Sequence, residues 1–426
     1  MAYAVGVILF AAGICLSIAL HEAGHMAAAK SFGMRVRRYF IGFGPTIWST
    51  KKGHTEYGLK AVPAGGFCDI AGMTALDDYT EDEKPYLMVD RPAWQRLVVM
   101  LAGIIVNIVL GMAIIFGVAV AHGLPNTAIT TLSDVPAVVG KTLCTPATAE
   151  DARANDGEGE CTGAGPAADS GLREGDRITA VDGTATDTFG DLQEKLDAVG
   201  SAAAASGTAT GSRTTVPATV ERDGADRGID LQVEVVEREK ADGSTTSTTQ
   251  TGAVGMQVRI PGSGELTNHY NPVTAIGGTA DYSWYVVRET AKALVDLPSR
   301  YWPVVESIFG GERSMDSPVS VVGASRAGGE LVKHEQWVQF ALLLANLNFF
   351  LAAFNLVPLP PMDGGHGAVI VWEKIRDWFR KRRGLAPGGP ADYTKLLPVT
   401  YVVAAILLVF GATVIIADVV NPVRLF

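Results

Sequence analysis

Four stretches of the chain are almost free of charge and rich in aliphatic residues: 4–29, 97–121, 337–356 and 396–420. Each reaches or exceeds the ~20 apolar residues that a helix needs to cross the hydrocarbon core of a bilayer. The polar residues between them fall into other patterns. Residues 37–60 mix aromatic and β-branched positions around a Lys51-Lys52-Gly53 turn, which predicts a β-hairpin. Strand-like runs at 216–221, 231–237 and 254–258, with a helical pattern at 189–196, predict a small α+β domain between the second and third apolar runs. Residues 280–309 are amphipathic, with Trp284, Tyr285, Tyr301 and Trp302 suited to a membrane interface. A helix packed on the α+β domain fits that stretch equally well. The first run lacks a basic leader, and His-Glu-Ala-Gly-His stands where a signal peptide would be cleaved, so it reads as a retained helix.

Composition agrees with a membrane protein. Only 19% of residues are charged and 48% are hydrophobic, whereas a soluble domain carries about 25% charge. With 35 basic against 45 acidic residues, nucleic acid is not an expected partner. The basic residues are unevenly placed. Residues 30–96 hold 10 basic and 8 acidic side chains, and 373–395 hold 7 and 3, with Arg380-Lys381-Arg382-Arg383 at the centre. Residues 122–336 hold 17 and 31. The positive-inside rule then puts both basic loops in the cytosol, and the middle segment and both termini outside. Cys15 and Cys68 fall where thiols stay reduced, while Cys144 and Cys161 share the outer segment, where a disulfide between them is expected. Two exposed thiols are the alternative.

The chemistry concentrates in the first run. His21-Glu22-Ala23-Gly24-His25 matches H-E-x-x-H, whose two histidines share one face of a helix and can bind one zinc ion. Glu22 then stands beside the open position of the metal, placed to act as general base. Two histidines and a carboxylate inside an apolar helix are costly unless paired or bound to metal. The alternative, histidines satisfied by neighbouring helices, leaves Glu22 without a partner. A catalytic zinc needs a third protein ligand, and the best candidate is Asp363 in the segment Asn355-Leu-Val-Pro-Leu-Pro-Pro-Met-Asp363-Gly-Gly-His366. At 1.5 Å per residue, His21 lies roughly 26 Å in from the outer end of its helix. Asp363 follows the third run at similar depth, so both fall near the cytosolic side of the hydrocarbon core. Prolines 358, 360 and 361 break the helix there, and irregular backbone at that depth requires a protein-lined cavity. Asn355, just before the break, suits either a hydrogen bond to substrate or a helix C-cap.

These motifs together resemble the site-2 protease family of intramembrane zinc metalloproteases. The segments 21–25 and 355–364 match its two signature motifs, and Ala102-Gly103 with Asn107 looks like its glycine–asparagine signature in the second helix. Gly42-Phe-Gly-Pro45 and Pro63-Ala-Gly-Gly66 resemble its membrane-associated β-hairpin, and 171–183 with the helix after it resembles one PDZ repeat unit of bacterial proteases. The segments 144–165 and 200–211 then read as insertions into that module. The resemblance implies a polytopic α-helical membrane protein with four transmembrane helices, a membrane-associated β-hairpin and an extracytoplasmic α+β PDZ domain. The expected divisions are 1–122, 123–265, 266–336 and 337–426: an N-terminal membrane half, the PDZ domain, an interfacial linker and a C-terminal membrane half. It implies Zn2+ held by His21, His25 and Asp363, Glu22 as catalytic base, and Asn355 and Asn107 at the substrate. The implied substrates are single-span membrane proteins already shortened by another protease, such as anti-sigma factors, and remnant signal peptides. The PDZ groove implies binding of peptide termini or a steric role. The implied place is the plasma (inner) membrane, with the lipid bilayer as partner. Two rival classes are a catalytically silent PDZ-bearing adaptor and a metal transporter; intact ligands and base weigh against the first, and the absence of an evident repeat against the second.

Overall fold

The computed structural model describes residues 1–74, 76–129, 131–153, 161–242, 245–259, 266–311, 313–423 and 425. In chain order the main elements are helix α1 (Ala2–Ser31), strands β1 (Val36–Lys52) and β2 (Thr55–Ile70), and helix α2 (Ala93–Ala121). Next come β3 (Val139–Thr142), β4 (Arg177–Val181), β5 (Thr184–Ala185), helix α3 (Phe189–Ala205), β6 (Arg213–Arg222), β7 (Ala225–Asp242), β8 (Thr245–Ala253) and β9 (Met256–Val258). The chain ends with helices α4 (Thr274–Ile308), α5 (Val321–Lys333), α6 (Trp337–Leu356), α7 (Asp363–Arg382) and α8 (Leu397–Val420). Contacts divide it into two compact units, Met1–Leu124 with His269–Phe426, and Pro125–Asn268.

In the first unit α1, α2, α6 and α8 are the helices long and apolar enough to cross a membrane among the described residues. Their outward sides show large apolar residues, such as Ile8, Leu16, Ile105, Val109, Ile406 and Leu408, which a water-facing surface would not tolerate in such continuous bands. Small residues set the spacing where helices meet. A Cβ on Gly24 would come within 2.8 Å of the Ala102 carbonyl oxygen, so α1 and α2 touch backbone to backbone there. Helix α4 packs its first half on α2 and α6, where Ala275, Val286 and Tyr285 join Ile115, Leu342 and Phe349. Its second half meets α8 through Val304, Val414 and Ala417. The amphipathic stretch expected at 280–309 thus belongs to a 35-residue helix that keeps Trp284 and Trp302 exposed.

Strands β1 and β2 form more than a simple hairpin. Residues 38–41 of β1 face two partners each: Tyr39 pairs with both Cys68 and Tyr57, and Phe40 with both Phe67 and Gly58. The later part of β1, Thr46 to Lys52, pairs with Lys60 to Thr55. Each long strand is therefore bent into two arms, and the four arms make one small sheet. The bend of β1 falls at Gly42 and Gly44, whose φ values of 89° and 82° are readily adopted by glycine alone. Tyr39 Oη donates to the Ala19 carbonyl oxygen at 2.7 Å and ties the sheet to α1.

Ionisable residues absent from the sequence expectation lie buried in this unit. Arg96 on α2 pairs with Glu373 on α7 at 2.7 Å. Asp418 near the end of α8 pairs with Arg313 at 2.5 Å and also accepts from the Ser320 amide and hydroxyl. The last pair joins α8 to the loop that opens α5.

The second unit is built on a five-stranded antiparallel sheet of order β5-β4-β6-β7-β8, with a separate β3–β9 pair. Its core comprises Val139, Ile178, Leu192, Val220, Leu231 and Val233 with their neighbours, closed by α3. Thr188 and Asp191 form a capping box at the start of α3. That helix runs through the alanines at 202–205, which are strong helix formers; most of the first half of the expected 200–211 insertion is therefore helix. Cys144 and Cys161 are joined in a disulfide, and residues 154–160 of that other expected insertion lie outside the described residues. The Gly171–Asp176 turn is clamped from one side chain: Asp176, 1% exposed, accepts from Arg222 Nε and Nη2 at 2.7 and 2.6 Å and from the Arg173 amide at 2.8 Å.

Candidate metal centre

His21 and His25 are four residues apart on α1, and the helix turns both rings toward α2 and the start of α7. Their Nε2 atoms stand 3.1 Å apart. Asp363 Oδ2 lies 3.1 Å from the first and 3.2 Å from the second. Both histidines are buried, at 6% and 5% exposure. Among the described residues these three side chains form the group able to hold a metal ion. Asp363 reaches it because α6 stops at Leu356, the proline-rich turn reverses the chain, and Asp363 is the first residue of α7. A Cβ on Gly364 would strike the Leu356 carbonyl oxygen at 2.4 Å, so glycine there lets the turn close on the helix end.

The far sides of the rings decide whether this donor set fits a cation. His25 Nδ1 lies 2.7 Å from the Val99 carbonyl oxygen, which can only accept, so Nδ1 carries the proton and Nε2 offers a lone pair. His21 Nδ1 meets the side-chain amide of Asn107 at 3.2 Å, and Asn107 Oδ1 is buried with no other partner. Turning the amide so that Oδ1 accepts the Nδ1 proton gives the oxygen a partner and frees the second Nε2 lone pair as well. Two imidazole lone pairs and a carboxylate oxygen then converge with no proton between them, which a cation must balance. Ligand atoms about 2.0–2.2 Å from one zinc ion stand roughly 3.3–3.5 Å apart at tetrahedral angles, close to the separations found here. Space beside the group comes from α2: a Cβ on Gly103 would lie 2.3 Å from His25 Nε2 and 2.8 Å from His21 Nε2.

Glu22, next to His21 on α1, reaches β2 while staying within electrostatic range of His21, His25 and Asp363. Its Cγ would be 3.2 Å from a Cβ on Gly66, and its carboxylate interacts with the Cys68 backbone amide. The base candidate thus sits between the histidine rings and a sheet arm. Of the two asparagines expected at substrate, Asn107 is 1% exposed and engaged with His21. Asn355 is half-buried in the last turn of α6 and makes no side-chain hydrogen bond among the described residues. His366 lies one turn beyond Asp363 and stacks on Tyr393, apart from the ligand group. Val99 was not foreseeable, because a backbone carbonyl carries no mark in the sequence. Gly103 and Asn107 were visible as a pair, but the sequence does not say that one makes room and the other orients a ring.

Known proteins resemble this chain over its whole length. The model of peptidase family M50 matches residues 9–386. The zinc metalloprotease Rip1 of Mycolicibacterium smegmatis is 43% identical over 440 residues, with 100% of each chain covered. The protein of that name from Mycobacterium tuberculosis (strain ATCC 25618 / H37Rv) is 41% identical over 428 residues, again with 100% of each covered. The chloroplastic membrane metalloprotease ARASP of Arabidopsis thaliana is 29% identical over 367 residues, covering 84% of this chain and 68% of its own. Two signature motifs brought together from opposite ends of the membrane unit, and relatives aligned end to end, lead to one assignment: the chain belongs to peptidase family M50, the site-2 proteases.

Proposed function

We propose that this zinc metalloprotease cuts transmembrane segments of single-span proteins already shortened by another protease, holding its metal through His21 Nε2, His25 Nε2 and Asp363 Oδ2. The observation that carries the reading is the convergence of those three atoms within 3.2 Å, with Glu22 on the same helix. Zinc bound there supplies Lewis acidity to the scissile carbonyl and makes water more acidic. The protein's own groups do the rest. The Glu22 carboxylate takes a proton from the attacking water and passes it to the leaving amide nitrogen. Asn107 and the Val99 carbonyl hold the two rings in the ligating tautomer, and Gly103 keeps the space beside them open. A helical peptide bond is shielded by its own hydrogen bonding, so the substrate has to unwind before attack. The 66–70 arm of β2, which lies against Glu22, is the edge along which we place the unwound segment. To Asn355, whose side chain makes no hydrogen bond among the described residues, we assign a hydrogen bond to the substrate backbone or the developing oxyanion.

The reading extends to setting. The basic loops support a plasma-membrane placement with both termini and the Pro125–Asn268 unit outside, and the metal centre near the cytosolic face. We read the outer unit as a PDZ module, on its resemblance at 171–196, whose groove takes peptide termini of pre-cut substrates. Anti-sigma factors and remnant signal peptides are the substrate classes that fit.

The test uses a truncated single-span substrate, wild type against Glu22→Gln, with bound zinc assayed on both. Loss of cleavage with zinc retained is expected. Cleavage by Glu22→Gln at the wild-type rate would remove Glu22 from the mechanism, and a wild type that holds no zinc would remove the ligand assignment.

A further inference from the structure

Helix α7 has two apolar faces, and the fold uses one of them. The inner face is buried: Ile370 packs with Ala93, Val99 and Met100 at the start of α2, and Glu373 pairs with Arg96. The outer face carries Val371, Trp372, Ile375, Trp378 and Phe379, at helical spacings of one, four, seven and eight from the first, and each is 44–53% exposed. Since α7 packs on the first turns of a spanning helix, this stripe lies at the level where the membrane begins.

The cations on α7 divide in the same way. Arg376 bonds the Gly389 carbonyl oxygen and Asp377, and Arg380 Nε donates to the Ala386 carbonyl oxygen at 2.7 Å. These two hold the following loop against the helix. The side chains of Lys381, Arg382 and Arg383 make no hydrogen bond or ion pair among the described residues. The Arg382 guanidinium lies over the Trp378 ring at 4.0 Å. Topology and the helix dipole account for positive charge at this end of α7, but they do not require an exposed aromatic stripe beside it. Rings that seat at the headgroup boundary next to unpaired cations are what an anionic membrane surface binds.

We propose that the outward face of α7 is a binding surface for anionic phospholipid, with the aromatic stripe in the headgroup–acyl boundary and residues 381–383 on lipid phosphates. The proposal stands apart from the proteolytic reading and does not use the metal.

The test places the full chain in phosphatidylcholine vesicles and measures energy transfer from tryptophan to acyl-labelled phosphatidylglycerol or acyl-labelled phosphatidylcholine. The expected result is a preference for phosphatidylglycerol that shrinks as salt rises. Lys381→Gln/Arg382→Gln/Arg383→Gln should weaken the preference by roughly fivefold per residue neutralised. Because these side chains have no polar partners among the described residues, the variant should keep its wild-type circular dichroism, and Lys51→Gln/Lys52→Gln should keep the preference. Trp378→Leu, which retains the charges, should reduce transfer to both lipids. Equal transfer to the two lipids, or a triple variant that keeps the preference, would overturn the proposal. So would abolition of the preference by millimolar inorganic phosphate at constant ionic strength, which would make this a free-anion site. A dimer lost on Trp378→Leu with lipid preference unchanged would assign the face to a second copy instead.

Discussion

The Asn107 side-chain amide meets Nδ1 of His21 and, turned so that its otherwise unpartnered oxygen accepts there, sets which ring nitrogen carries the proton. Without that acceptor the imidazole is free to protonate at Nε2, which blocks ligation. Asn107→Leu is therefore expected to weaken zinc binding by about 10–100-fold, measured by chelator competition, with the helical content unchanged. Gly103→Ala acts from the same helix by volume. Its Cβ would sit 2.3 Å from His25 Nε2, so zinc content should fall even though no ligand has been altered. The histidine pair of this candidate site was legible in the sequence, because two histidines at helical spacing are too costly on an apolar helix unless a cation or a polar partner holds them. The role of Asn107 was not, because a polar residue on a spanning helix reads equally well as facing substrate or facing a neighbour. Only the distance to Nδ1 separates the two.

At the scale of elements, the most exposed test is the junction between α2 and α7. Arg96 and Glu373 have 7% and 8% of their side chains accessible, and Glu373 Oε1 also accepts from the Ala391 amide at 2.7 Å. Removing one partner strands a buried charge, so Arg96→Ala should destabilise the membrane unit by about 3–5 kcal/mol. Arg96→Met with Glu373→Gln should recover most of that loss, because no unpaired charge remains. Unfolding midpoints in detergent distinguish the two outcomes; equal loss in single and double variants would mean that packing at the junction, not charge, holds it. The apolar runs located the spanning helices to within a few residues, since length and continuity leave little choice there. The sheet was harder. Aromatic and β-branched content around Lys51-Lys52-Gly53 predicts a hairpin, but pairing the first arm of β1 with two arms of β2 depends on the bend at Gly42 and Gly44. Strand β8 is almost all threonine, serine and glycine, without an apolar alternation to reveal it, and forms because it edges β7.

The whole chain separates into two compact units, and the Pro125–Asn268 unit has what independent folding requires: its own apolar core and a disulfide. Expressed alone under oxidising conditions, it should fold, and its acid sensitivity should be traceable in the main to one buried carboxylate. Burial alone would raise the pKa of Asp176, but the two Arg222 hydrogen bonds and the Arg173 amide outweigh burial and hold it below the usual carboxylate range. A group whose folded pKa is depressed contributes its stability above the unfolded value, about 3.9 for Asp, and loses it as pH falls through the folded one. Stability should therefore be flat from neutral pH to about pH 5 and decline below about pH 4. The Asp191 carboxylate, lowered by its Thr188 hydrogen bonds at the cap of α3, adds to the same limb. Asp176→Asn removes the charge that Arg222 and the Arg173 amide bind, so the variant should be less stable at neutral pH and its acid decline shallower. Melting temperature against pH for the two proteins checks this directly. Parallel curves, offset but of equal slope, would mean that the clamp on the Gly171–Asp176 turn works through shape and neutral hydrogen bonds instead of charge.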